Sequence, residues 1–498
     1  MDILSLINLS EIHEIINLVN KNHGTKYSLS TIPIDDKNAI KLIKLGFTNN
    51  IFQLEKPGMI DALKTIKPNN FLEVSHVLSI HRPGAIKQIQ LFADYKDHKK
   101  TPQYLHPILK SILEPTYGII IYQEQIMQIA NQFAGLSLEE ADNFRKAISK
   151  KKPEQLANLE NTFLQGAKKN GIDQTLAKKI YDNVFEFADY GFAKIHAIEY
   201  TMLSTKMAFL KANFPNEFFS IFLDKNGSTR GKEFFKLIKD LSAFNISFAD
   251  PNINKIEGRT TTVNQKLMYS LLNIKSSNID MVKATLGERN NRGEFKNFDD
   301  FIMRLAPNKI QGLWVKDLIN IGCFDFESKN RNYFLARLSS FLEDPQDLKS
   351  YVKKDIAAFL QFEGKASNPE NYEKLDSIKT FINEFVSLGF IQKKMETLFP
   401  SIKTRDYFQL SSLQRAGTFF STCGIITNLK IKNDKNDKKY AKITLMDHSF
   451  QESFFIFNNT FEPLENTLIE GQIVKVAVRK SIKEKFTSYI VNSVQVLS

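Results

Sequence analysis

The chain has 498 residues, with 67 Lys+Arg against 55 Asp+Glu and a formal net charge of +12. Hydrophobic residues make up 42% and charged residues 24%, a globular composition that excludes a disordered or fibrous chain. The two cysteines, Cys323 and Cys423, exclude a disulfide framework and a four-cysteine zinc site.

The length suggests about three domains. No basic segment leads into an apolar run at Met1, and no stretch of about 18 uncharged apolar residues occurs. Neither a signal peptide nor a membrane-spanning helix is therefore expected, and a cytoplasmic location is the default. The positive excess points to a polyanion such as nucleic acid. A lysine-rich genome accounts for it equally well.

In chain order, Ser10 caps a first helix whose stripe is Ile12, Ile15, Ile16 and Val19, and His23-Gly24 ends it. A second helix opens at Asp35-Asp36 and stops at Gly46. Residues 116–215 read as all-helical. They hold a helix over 122–133, a capping box at Ser137 and Glu140, Pro153 in a first helical turn, Gly171 as a stop, Asp173 as a cap, and a helix from His196 toward Pro215. Residues 260–263 and 267–272 read as short strands, with helical texture over 277–288, 298–305 and 309–320. Residues 326–410 are helical and charged, with a loop or linker over 363–373.

From about residue 418 the apolar period becomes two. Strands are expected over 424–431, 440–446, 453–457, 472–478 and 487–491, with a helix-like segment over 461–468. Five strands with a helix between the third and fourth is the order of an OB-fold, with another small β-barrel as the alternative.

Three clusters carry candidate chemistry. Residues 142–153, which include Arg145, Lys146, Lys150, Lys151 and Lys152, end a helix in a run of cations. That suits phosphate binding, although on charge alone a solvated helix C-terminus is favoured. Residues 190–196 put Lys194 and His196 at a helix start, where anions bind readily, and a loop lysine with a hydrogen-bonded histidine is the plainer alternative. His81-Arg82-Pro83-Gly84 is a turn that fixes an arginine, and Tyr122-Gln123-Glu124-Gln125 sets polar groups in an apolar helix. Asp35-Asp36 and Asp299-Asp300 read as helix-start charges, since adjacent carboxylates on a helix diverge by roughly 100°.

In this order, the segments 32–43, 51–59, 81–84, 114–130, 141–154, 190–200, 251–254 and 319–325 resemble the C-terminal half of bacterial DNA polymerase III alpha subunits. The resemblance implies an α+β multidomain chain. Residues 1–9 would be a remnant of the palm and 10–245 a mostly helical fingers-like domain. Residues 246–415 would be a clamp-binding, helix-hairpin-helix-like region, and 416–498 an OB-fold nucleic-acid-binding domain. Its implied activity is template-directed DNA synthesis, a nucleotidyl transfer.

The same resemblance implies that Arg145, Lys146, Lys152, Arg82, Lys194 and His196 bind the incoming dNTP, and that Lys150, Lys151 and Lys275 face DNA. Asp2, in Asp2-Ile3-Leu4-Ser5-Leu6, matches the third palm carboxylate and would be a catalytic Mg2+ ligand, alongside two carboxylates with no counterpart here. The implied partners are template-primer DNA, dNTP, the sliding clamp, clamp-loader subunits and a separate N-terminal half, with no membrane. The chain alone is expected not to extend a primer.

Two departures stand out. The hairpin turn reads Ile274-Lys275-Ser276-Ser277-Asn278 without the family's glycines, and Ile195 replaces a serine. No clean clamp-binding peptide occurs; residues 359–362 and 397–399 are poor candidates. The alternative reading is a non-catalytic DNA-binding replisome scaffold or a decayed fragment.

Overall fold

Helices take up the first 215 residues because their apolar positions recur at helical spacing and their ends carry caps. The computed structural model describes residues 7–82, 85–150, 153–188, 191–226, 232–353, 370, 372–391, 398, 417–447, 451–483 and 486–497. They fall into two compact units, 1–215 and 216–498, a division earlier in the chain than residue 245.

The first unit holds α1 (Ile7–His23), α2 (Lys37–Leu45), α3 (Pro57–Ile66), α4 (Phe71–Ile80), α5 (Ile89–Lys96) and α6 (Pro107–Leu113). It continues with α7 (Gln123–Gln132), α8 (Leu138–Lys150), α9 (Pro153–Lys169), α10 (Gln174–Ala188) and α11 (Lys194–Asn213). Helix α1 starts at Ile7, so Ser10 lies inside it and is not its cap. The Asp36 carboxylate accepts from the Ala39 N–H at 2.9 Å to cap α2, and Gly46 closes it at φ 76°. Ser137 and Glu140 form the expected capping box at α8.

Around α6 to α10 a mainly aliphatic core encloses a small aromatic cluster, in which the Phe163 ring stacks on Phe133 and Phe144 at centroid distances of 5.8 and 5.6 Å. Helix α11 packs on α2 and α4 and is buried along much of its length. Its buried Lys206 and Lys211 donate to the carbonyls of Leu29 at 2.6 Å and Asn49 at 2.8 Å, tying loops to the helix.

The second unit opens with α12 (Pro215–Asn226) and α13 (Lys232–Ala243), then a hairpin of β1 (Thr261–Val263) and β2 (Lys266–Met268). Strand β2 ends at Met268, because Ser270 caps a 3-10 turn over Leu271–Asn273 where a longer strand was expected. Helices α14 (Ile279–Arg292), α15 (Phe298–Leu305), α16 (Gly312–Ile321), α17 (Arg331–Phe341) and α18 (Ser377–Leu388) follow. The loop or linker expected over 363–373 lies mostly outside the described residues, as do the weak clamp-peptide candidates except Leu398.

The C-terminal strands are β3 (Phe419–Asn433), β4 (Lys439–Met446), β5 (Gln451–Ile456), β6 (Ile473–Lys483) and β7 (Phe486–Val496), with a helical turn at Asn458–Phe461. They close into a barrel in the order β3-β4-β5-β7-β6, with β5 and β7 parallel, as the OB-fold requires. Strand β3 closes it by pairing with β6 over its first half and with β4 over its second, across a bulge between Ile426 and Asn428. At this switch Gly424 is needed: a Cβ there would sit 2.9 Å from the Met446 carbonyl oxygen. Alternate residues Ala441, Ile443, Leu445, Phe454 and Ile456 fill the interior.

Candidate functional site

Two helices of the first unit begin side by side. Residue Tyr122, before α7, and Phe192, before α11, form a parallel bridge. The Gln123 N–H donates to the Phe192 carbonyl at 3.0 Å, and the Phe192 N–H to the Ile121 carbonyl at 3.1 Å. The approach leaves little space at Gly191, where a Cβ would lie 3.3 Å from the Gln123 Cγ. The bridge brings two helix starts, each a positive dipole end, next to one another.

Cationic side chains converge on this bridge. The Arg82 guanidinium lies 3.9 Å from the centre of the Phe192 ring. The Lys194 Nζ is 5.8 Å from that of Tyr122, and the Lys194 backbone N–H donates to both Glu124 carboxylate oxygens, at 2.9 and 3.0 Å. From α8, Arg145 donates through Nη1 to Gln123 Oε1 at 3.1 Å and through Nε and Nη2 to Asp142. The Lys146 ammonium, and after it the Arg145 guanidinium, hold the Asp142 carboxyl below the usual carboxylate range. His196 is exposed, 4.3 Å from the Tyr200 ring and 5.8 Å from Phe192.

Beneath the cations the site is buried and aromatic. Tyr122 is 2% exposed, and its hydroxyl lies 3.0 Å from Ser75 Oγ. Burial raises its phenol pKa, opposed by hydrogen bonds to Ser75 and Ser79. The His76 ring packs edge-on to Tyr122, and burial, then the Lys194 charge, push its pKa down to about 4.

The expected residues are thus partly gathered. Arg82, Arg145, Lys194 and His196 are linked through the bridge residues, and Lys146 joins them through Asp142. Lys150 closes α8, while Asp2, Lys151 and Lys152 lie outside the described residues. Lys275 lies in the second unit, where its N–H donates to the Ser387 carbonyl at the end of α18 at 3.0 Å. Beside it Ser276 donates to Asp317 at 2.6 Å. No group of three or more His, Cys, Asp or Glu among the described residues could hold a metal ion.

A second candidate surface is the outer face of β3, β4 and β5. Register aligns Lys430, Lys442 and Phe455 in one row and pairs Lys432 with Tyr440 in the next. Tyr440 and Phe457 lie 5.8 Å apart, Phe455 and Phe457 stack at 6.3 Å, and Lys442 Nζ is 5.7 Å from the Phe455 ring.

A model of the bacterial DNA polymerase III alpha subunit finger domain matches residues 8–171, and one of a helix-hairpin-helix motif matches 245–334. Along its whole length the chain is 31% identical to DNA polymerase III subunit alpha of Staphylococcus aureus strain COL, covering 46% of that protein. It is 32% identical over 497 residues to the subunit of Staphylococcus epidermidis strain RP62A, again covering 46%. By sequence the chain belongs with the C-terminal portion of the DNA polymerase III alpha subunits.

The chain spans just under half the length of these alpha subunits. The finger match covers Arg82, Arg145, Lys146 and the α7 side of the bridge, and stops before Lys194. Among solved structures, crystal structures of the mitochondrial single-stranded DNA-binding protein Rim1 of Saccharomyces cerevisiae are similar. One is 14% identical with a TM-score of 0.15, covering 17% of this chain and 98% of that one.

The alpha-subunit segments quoted from the sequence contain most of the site, but sequence reading missed what holds it. In the sequence Gln123 and Glu124 show only as polar residues in an apolar helix, and no local motif marks His76. On the barrel, Tyr440, Lys442, Phe455 and Phe457 follow from strand alternation once its parity is known.

Proposed function

We propose that this chain is the nucleotide- and template-binding portion of a replicative DNA polymerase. The observation that carries the reading is the gathering of Arg82, Arg145 and Lys194 about two bridged helix starts, with Arg82 and Arg145 inside the segment akin to the alpha-subunit finger domain and Lys194 beyond its end. Such an arrangement suits the triphosphate of an incoming dNTP: guanidinium groups grip phosphate oxygens, helix ends supply field, and the buried Tyr122 ring backs the lysine. The barrel face suits single-stranded template, with bases on Tyr440, Phe455 and Phe457 and phosphates against Lys430, Lys432 and Lys442.

Nucleotidyl transfer, its Mg2+ and the clamp and clamp-loader partners belong to the same proposal on kinship alone. The described residues do not fit the metal, so no chemical step is assigned to them.

Fluorescence anisotropy with a labelled single strand tests the reading. Binding should weaken steeply with salt, and replacing Lys430, Lys432 and Lys442 together by alanine should reduce the log–log slope by about 2. A slope unchanged by the triple substitution contradicts the barrel assignment. Strand binding with no saturable dNTP binding favours the non-catalytic scaffold.

A further inference from the structure

The two residues that start α7 hold the cations in register. Helix α11 has no cap of its own: the residue before it, Ala193, offers no side-chain acceptor. The Glu124 carboxylate fills that role from the neighbouring helix, taking the Lys194 N–H with both oxygens. As it also lies in the first turn of α7, one carboxylate serves two helix starts. One residue earlier, the Gln123 side-chain oxygen takes the Arg145 Nη1 at 3.1 Å, while Asp142 takes Nε and Nη2. The guanidinium plane is thereby fixed from two directions.

We propose that Gln123 and Glu124 are positioning residues of the triphosphate pocket, Gln123 aiming Arg145 and Glu124 fixing the α11 start that carries Lys194. This role rests on the nucleotide-binding reading above. Neither side chain touches the phosphates; each acts through the cation or helix start it holds. The acceptor oxygen of Glu124 matters, not its charge, which opposes an arriving anion.

The test is a calorimetric titration of the full chain with inorganic tripolyphosphate, comparing wild type with Gln123→Leu, Glu124→Ala and Glu124→Gln. Wild type binds saturably. Gln123→Leu and Glu124→Ala each weaken binding about tenfold, as loss of a hydrogen bond to a charged or helix-end donor implies, with little change in melting temperature. Glu124→Gln keeps one acceptor and sheds the charge, so it binds as tightly as wild type or more tightly.

That rescue separates positioning from general structural support. Wild-type affinity in both Gln123→Leu and Glu124→Ala overturns the positioning role and leaves the pocket standing. So does an equal loss in Glu124→Gln and Glu124→Ala. No saturable binding by wild type overturns the pocket reading itself. Gln123→Leu leaves the α11 start intact, and decides the question if Glu124→Ala does not fold.

Discussion

Arg145 is held by Gln123 and Asp142, and Lys194 Nζ lies 5.8 Å from the centre of the Tyr122 ring, so in the proposed pocket the cations would meet an anion already ordered. Below them, His76 is buried and neutral. With its folded pKa pushed down to about 4 from 6.5, the unfolded chain binds more protons between those values. Its contribution to stability is therefore fully present above pH 6.5 and is lost as the pH falls toward 4. The loss between pH 7 and pH 5 should be about 2 kcal/mol. His76→Phe should flatten that part of the curve in urea unfolding at the two pH values; an unchanged slope contradicts the burial argument. Helix-end cations and a glycine break single out Arg145, Lys194 and His196 in the sequence as candidates, but on those marks alone a solvated helix end and a loop lysine are favoured, and the family resemblance supplies their expected role. The Arg145–Gln123 and Lys194–Glu124 contacts were not legible there, since they join residues 22 and 70 positions apart.

Local chemistry marks most element ends. Asp36 caps α2 and also accepts from the Asn213 side chain at 3.1 Å, so Asp36→Ala removes a cap and a tie to α11. The substitution should cost about 1–2 kcal/mol, read from the shift in urea midpoint. No shift would mean that water replaces the carboxylate at no cost. Asp35 accepts from the Phe71 N–H at 2.9 Å, so both carboxylates of the pair serve helix starts, as expected of helix-start charges. Caps and glycine stops made α2, α8, α9 and α10 readable. Helices α3 to α6 were not read: their apolar faces are short, and packing in the first unit decides them. The strands of the barrel were legible from their period of two. Their ends were not, because β3 runs from Phe419 to Asn433 by changing partner at a bulge that leaves no local mark.

At the scale of the whole molecule, two groups of cations in this +12 chain stand beside features suited to a polyanion. One lies at the bridged helix pair of the first unit, and the other on the lysine and aromatic face of the barrel in the second. The two sites are built from different units of the chain, so nucleotide and strand binding are expected to be damaged independently. Primer–template is bound first to the full chain, and dNTP is then titrated against wild type and Arg145→Ala. The account predicts at least a tenfold weaker dNTP affinity in the variant, as loss of a charge-assisted contact implies, with primer–template affinity within about threefold of wild type. Equal dNTP affinity in the two proteins, or an equal loss of both ligands, would contradict it.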